Sequence, residues 1–366
     1  MKEVVRKRPR ANPTPGIALL RWYDRHARKL PWRAQRGTKP DPYRVWLSEI
    51  MLQQTTVAAV GPYYARFLGR WPTVQDLAAA ELDDILGAWA GLGYYARARN
   101  MHRAARVVAR DLGGRFPDDV EGLRELPGIG AYTAGAIAAI AFGRPTVALD
   151  ANAERVLARY IAIEEPLPAA KTRLRELALS ILPESRSGDF AQALMDLGAL
   201  ICSPRTPLCE KCPWSSECRG FALGIAAQLP RKAGKASRPV KRGAAFVARD
   251  GGGAVLLERR PEAGLLGGML QPPLGPWSER FPTASEALRQ APFGARWARS
   301  TAMVRHVFTH FELELHVYCA DVDARPQAAG RWFKPDELEG AALPTVMRKV
   351  LGAAPSQVQA RSARKR

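Results

Sequence analysis

The chain has 366 residues, 47% hydrophobic and 25% charged, which excludes a disordered or fibrous protein and is too long for one ordinary core, so two domains are expected. No apolar run reaches the ~18 residues needed to span a bilayer, and the basic N-terminus lacks a secretory apolar stretch, so no membrane partner and a cytoplasmic, bacterial-type protein are expected. With 55 Lys and Arg against 35 Asp and Glu the net charge is +20, which points to a polyanion, nucleic acid, held through phosphate contacts and counterion release.

In chain order, residues 1–15 form a basic tail, and 16–225 carry apolar residues at helical spacing between short Pro/Gly breaks. The run TVQDLAAAELDDILGAWAGLG (73–93) reads as helix, with Thr73 as N-cap and Asp76 three residues on. AQALMDLGALIC (191–202) reads as another helix. A polar, basic linker occupies 226–242. Beyond it the period falls from helical spacing to alternation. AAFVARD and AVLLERR flank Gly251 to Gly253 as a hairpin, HVFTHFELELHVYCADV (306–322) alternates like one long half-buried strand, and a short helix follows at 343–351. A second basic tail closes the chain at 351–366.

Some residues carry chemistry on their own. Glu49 lies in an apolar helix with Val45, Trp46 and Leu52 at helical spacing and Gln53 one place further. A carboxyl there is desolvated and holds its proton near neutrality, unless it pairs with a base such as Arg44. Asp150 ends the extended stretch PTVAL and precedes the helix ANAERVLARY, an N-cap position that favours the anion. LPGIG (126–130) joins two helical stretches, and Gly128 and Gly130 permit positive φ and close backbone approach, so the next helix can offer its free N–H groups to a phosphate. Cys202, Cys209, Cys212 and Cys218 cluster with spacing C-x6-C-x2-C-x5-C, and Cys319 stands alone as a core residue. Four thiolates suit zinc or an iron–sulfur cluster, but zinc sites usually have two short Cys pairs and only one is present.

LPWR (30–33), DPYRVWLSEIMLQQTTV (41–57), GLGYYARARN (91–100), LPGIGAYTAGAIAAIAFG (126–143) and VALDANAERVLARY (147–160), with the cysteine spacing, resemble adenine DNA glycosylases of the MutY type in the endonuclease III superfamily. The resemblance implies an α+β chain: an all-α helix-hairpin-helix glycosylase domain with a cluster loop, then a small α/β Nudix-like domain at 243–350. It implies Glu49 as the acid that protonates adenine, and Asp150, with Asn152, as the anion facing the sugar as the base leaves. Asp-Gly-Asn-Val of the family stands here as Asp150-Ala151-Asn152-Ala153. Tyr132 occupies the place where endonuclease III-like members carry a Schiff-base lysine, so a monofunctional enzyme without strand cleavage is implied. Trp32, Arg33 and Gln192 would line the adenine pocket, while Gln54, Leu92 and Tyr94 would intercalate or contact the opposite base. The four cysteines would hold one 4Fe-4S cluster, whose loop, with Arg205, Lys211 and Arg219, shapes a phosphate-binding surface.

ERRPEAGLLGGMLQPP (258–273) and LPTVMRKVL (343–351) carry the likeness of the second domain, which lacks the acidic metal-binding Nudix box. Pyrophosphate hydrolysis is therefore not expected. Phe308-Thr309-His310 stands where the family has the Phe-Ser-His loop that reads 8-oxoguanine. The implied partner is double-stranded DNA with 8-oxoguanine:A or G:A mispairs, bound by a monomer at the nucleoid. A glycosylase/lyase for oxidised pyrimidines competes with this reading and is disfavoured by Tyr132 and the second domain. A non-catalytic DNA-binding protein is disfavoured by the presence of both Glu49 and Asp150.

Overall fold

A computed structural model describes residues 13–35, 37–231, 237–262 and 264–354. Most of both basic tails and the middle of the expected linker, 232–236, lie outside the described residues. Helices α1 (Pro15–His26), α2 (Pro42–Leu52), α3 (Val57–Arg70), α4 (Val74–Ala79), α5 (Leu82–Trp89), α6 (Ala96–Arg110), α7 (Val120–Glu125), α8 (Ala131–Phe142), α9 (Ala151–Tyr160), α10 (Lys171–Ser180), α11 (Ser187–Leu200) and α12 (Arg219–Ala222) come first. No strand precedes residue 240 among the described residues.

The described residues pack as two compact units. The first takes in described residues up to 68, with 73–75 and 104–231; the second takes in 69–72, 76–103 and the described residues from 237. Segment 76–103, read from sequence as part of the helical domain, thus packs with the C-terminal module. Asp83 pairs with Arg259 at 2.7 Å, Arg99 donates to the Gly267 carbonyl, and a Cβ on Gly87 would sit 2.8 Å from the Gly340 carbonyl oxygen.

In the first unit, the Asp41 carboxylate caps α2 through the Tyr43 N–H, with Pro42 in the first turn. LPGIG is the turn between α7 and α8, as expected, and Gly128 takes φ +81°. Gly130 instead has φ −90° and ψ 177°, an extended conformation open to any residue, because it serves as the N-cap of α8. Leu19 and Trp22 of α1, Leu157 of α9, Leu194 and Leu197 of α11, and Trp214 share one core. The stretch 73–93 is not one helix: α4 ends at Ala79, and Glu81 is extended (ψ 139°) as it caps α5. It then ends in a turn where Gly91, Gly93 and Tyr94 take φ of +104°, +71° and +49°.

The second unit holds the sheet, in order β3-β2-β1-β5-β4, with β6 also on β2. Its strands are β1 (Val240–Asp250), β2 (Val255–Arg259), β3 (Leu270–Gln271), β4 (Ala298–Val307), β5 (Glu312–Val322) and β6 (Arg331–Phe333). β1 and β2 form the expected hairpin, while β1 and β5 run parallel from Val240 opposite Glu312 to Asp250 opposite Val322. Ala245, Val247, Leu257 and Val317 pack on one face with Met347 and Val350 of α15 (Thr345–Gly352). Phe246 and Tyr318 face the other way toward Ala287 of α13 (Ala284–Leu288). A one-turn helix, α14 (Glu337–Gly340), precedes α15. The alternating run 306–322 is two strands, not one. The Phe308 N–H donates to the Phe311 carbonyl at 2.9 Å, reversing the chain between β4 and β5.

Candidate active site

Every residue of α2 from Val45 to Met51 is buried, and Glu49 is only 6% exposed. Burial pushes its pKa up from 4.5 to about 7. The Tyr132 hydroxyl, donating to Oε2 at 3.3 Å, pulls it down, the Asp150 charge adds to the rise, and the Arg33 charge opposes it. Arg44 is not its partner; it pairs with Asp41 at 3.6 Å. Tyr132, at the second position of α8, is held well above the usual phenol range by burial and by Glu49 and Asp150, so it remains a donor.

Asp150 is the N-cap of α9, as its sequence position predicts. One carboxylate oxygen accepts from the Ala153 N–H at 2.7 Å and the other from the Asn152 amide at 2.8 Å. Asn152 in turn accepts from Arg155 at 2.8 Å, and Arg155 also donates to the carbonyls of Gly198 and Cys202, each at 2.8 Å. A Cβ on Gly198 would lie 2.6 Å from the Asn152 Cβ, so a glycine here is what lets α11 seat Asn152 under the carboxylate.

One groove of the first unit is lined by Glu49, Tyr132, Asp150 and Asn152 together with Trp32, Arg33, Gln54, Gly128, Gly130 and Gln192. Ten residues singled out along 160 positions of sequence thus share one concave surface. Trp32 packs edge-on to Tyr64 at 5.6 Å, Gln192 donates to the Gly188 carbonyl at 3.3 Å, and Gln54 is exposed with φ +55°.

Within the second unit, Leu92 is buried and Tyr94 is half exposed. Phe308, Thr309 and His310 sit at the tip of the β4–β5 turn, with Phe308 stacked on Phe311 at 4.8 Å. The Tyr94 and Thr309 hydroxyls lie 3.1 Å apart, and the Thr309 carbonyl accepts from Arg238 at 3.2 Å. The turn at 91–94 and the β4–β5 turn therefore meet through hydroxyl groups.

Cys202, Cys209, Cys212 and Cys218 ring a small cavity with Arg159 and Phe221. Burial pushes the Cys212 thiol up to about 12, and the other three sulfurs add to the rise. No three of these or other His, Cys, Asp or Glu side chains converge on a single-ion site among the described residues. Four thiols ringing one cavity are a donor set that fits a multi-iron cluster. Arg159, 1% exposed, donates to the Cys202 sulfur at 3.3 Å and to the carbonyls of Ser203 and Pro204.

The chain is similar to adenine DNA glycosylase of Homo sapiens, 36% identical over 91% of this chain and 72% of that protein. The chain belongs to the adenine DNA glycosylase family. It is also 38% identical to the adenine DNA glycosylase of Mycolicibacterium smegmatis over 64% of this chain and 80% of that one. The profile of the HhH-GPD superfamily base excision DNA repair proteins matches residues 47–182, a span holding Glu49, Tyr132 and Asp150. That of the NUDIX domain matches 244–353, which holds Thr309. Among solved structures, a thermostable thymine-DNA glycosylase aligns with TM-score 0.52 and 34% identity, covering 57% of this chain and 95% of its own.

In this family member several residues of the groove escaped the sequence reading. Arg28 and Gln53 line it, Gln53 donating to Thr133 at 3.1 Å, and the buried Asp196 stands behind Arg33. Asp196 falls one helical turn after Gln192, the only signal the sequence held for it. Arg155 and Arg159, on the face of α9 turned away from solvent, are the other omission.

Proposed function

We propose that the chain is a monofunctional DNA glycosylase that removes adenine mispaired with 8-oxoguanine or guanine in double-stranded DNA and leaves an abasic site. It would act as a monomer in a bacterial cytoplasm, at the nucleoid. The observation that carries this reading is the pairing of two carboxylates in opposed settings. Glu49 is buried and poised to hold a proton near pH 7, and Asp150 is fixed by helix and amide donors across the same groove.

In this scheme the flipped adenine enters between Trp32, Arg33 and Gln192, whose amide suits a base edge. Glu49 gives its proton to a ring nitrogen, so the electron pair of the breaking glycosidic bond leaves with a neutral base. The Asp150 carboxylate stabilises the positive charge left on the sugar, with Asn152 fixing its orientation, and water then adds to give the abasic sugar, its released proton restoring the Glu49 acid. Tyr132 is a phenol and cannot form an iminium with that sugar, which supports release of the base without strand cleavage. Gly128 and Gly130 would bring the first N–H groups of α8 to a phosphate. Gln54, Leu92 and Tyr94 would fill the duplex behind the flipped base, and Phe308, Thr309 and His310 would read the opposite one. The four cysteines would hold a 4Fe-4S cluster, which contributes no step of the reaction and shapes the basic loop around it for phosphate.

The test is a panel of duplexes incubated with the full chain, with and without alkali. Excision from 8-oxoguanine:A with strand scission only after alkali is expected. Excision of thymine glycol, or efficient trapping of a covalent adduct by borohydride, contradicts the assignment.

A further inference from the structure

We propose that Asp196 is a positioning residue of the catalytic groove, clamping Arg33 and Arg28 as a fixed cationic wall beside Glu49. This rests on the reading of Glu49 as the acid. Asp196 is fully buried on α11, one turn after Gln192, so the helix presents an amide to the groove and a carboxylate behind its wall. That carboxylate takes four N–H donors: the Arg28 backbone at 2.9 Å, the Arg28 Nε, and both Arg33 terminal nitrogens at 2.7 and 2.8 Å. Arg33 also donates to the Arg28 carbonyl at 3.1 Å, which links the two arginines. Residues 27–35 contain neither helix nor strand. Beyond a single turn, in which the Arg33 N–H donates to the Leu30 carbonyl at 3.1 Å, the bidentate ion pair ties them to α11.

Such a pair could serve only to fasten a loop to a helix. What sets this one apart is the position of Arg33, which lines the same groove as Glu49 and acts on it by its charge. The other groups facing Glu49 are Tyr132 from α8 and Asp150 from the start of α9, with Arg28, Glu154 and Lys171 on the groove wall and Tyr23 under the Arg33 guanidinium at 5.7 Å. Arg33 is the cation among them that bears on Glu49, and Asp196 is the anion that balances it. Removing either partner should therefore move the acid in opposite directions. Without the Asp196 charge, the unbalanced cation favours the ionised acid. Without the Arg33 charge, the acid keeps its proton to higher pH.

The experiment measures single-turnover excision of adenine opposite 8-oxoguanine at saturating enzyme, from pH 5 to 9 and fixed ionic strength. It uses the full chain and Asp196→Asn, Arg33→Gln and Glu49→Gln variants. The alkaline limb of the profile should move down by about one pH unit in Asp196→Asn and up by a similar amount in Arg33→Gln. Limbs that coincide with the wild type, whatever the change in rate, overturn the clamp and leave a purely structural ion pair. Should Asp196→Asn not fold, Arg33→Gln decides alone: an upward shift supports the proposal and an unmoved limb overturns it. An active Glu49→Gln overturns the acid reading and the clamp with it, whereas an inactive Glu49→Gln with unmoved limbs overturns the clamp alone.

Discussion

Replacing Glu49 by Gln should make the protein more stable and less active together, because the same burial drives both effects. The rise of the Glu49 pKa from 4.5 to about 7, at about 1.4 kcal/mol per unit, amounts to about 3 kcal/mol. Below the unfolded value both states hold the proton, and stability has no pH dependence from this group. Between about pH 4.5 and 7 the unfolded chain has lost the proton and the folded one keeps it, so each unit of rising pH removes about 1.4 kcal/mol of stability. Above that window the full cost of a buried charge is present. Gln carries no such proton, and whatever constant offset it introduces does not vary with pH. Urea unfolding of wild type and Glu49→Gln at pH 5 and pH 8, followed by the helical signal, should show the variant gaining about 2.5 kcal/mol relative to wild type at the higher pH, since pH 5 already lies inside the window. A difference that stays constant within about 0.5 kcal/mol would mean that Glu49 titrates as an ordinary carboxylate and is ionised at neutral pH, unable to donate the proton.

Asp150→Asn should keep the fold, since Asn caps helices as well as Asp, yet lower single-turnover excision by about 100-fold or more through loss of the anion; near wild-type rates would remove Asp150 from the mechanism. Protein purified without oxygen should be brown and carry about four iron atoms, and stoichiometric zinc without iron would refute the cluster. Thr309→Ala should weaken the preference for 8-oxoguanine:A over G:A by up to about ten-fold at fixed salt, with the Tyr94 hydroxyl retaining part of the contact, and an unchanged preference would show that this turn does not read the lesion.

What could be read from the sequence was local. Val45, Trp46 and Leu52 at helical spacing place Glu49 in an apolar setting without knowledge of its neighbours. Asp150 caps a helix because of the three residues that follow it, one of which supplies the amide of Asn152. What escaped was non-local. Asp196 finds Arg33 163 positions away, and Tyr94 finds Thr309 215 positions away, with nothing in the local pattern to announce either. The break at Ala80–Glu81 escaped because AAAEL is good helix sequence; no Gly or Pro marks the break. The turn at Phe308–Phe311 escaped because alternation runs through it without a glycine or proline. Gly130 shows the opposite error, a glycine read as a special backbone conformation where the chain is simply extended.

In the proposed chemistry a buried carboxyl donates its proton to the departing adenine while Asp150 steadies the sugar. That donation is tested most directly by release of free adenine from an 8-oxoguanine:A duplex, measured chromatographically in single turnover from pH 5 to 9 with the wild-type chain. An alkaline limb centred near pH 7 is expected, above which the rate falls about ten-fold per unit. A profile flat to pH 9 would contradict it.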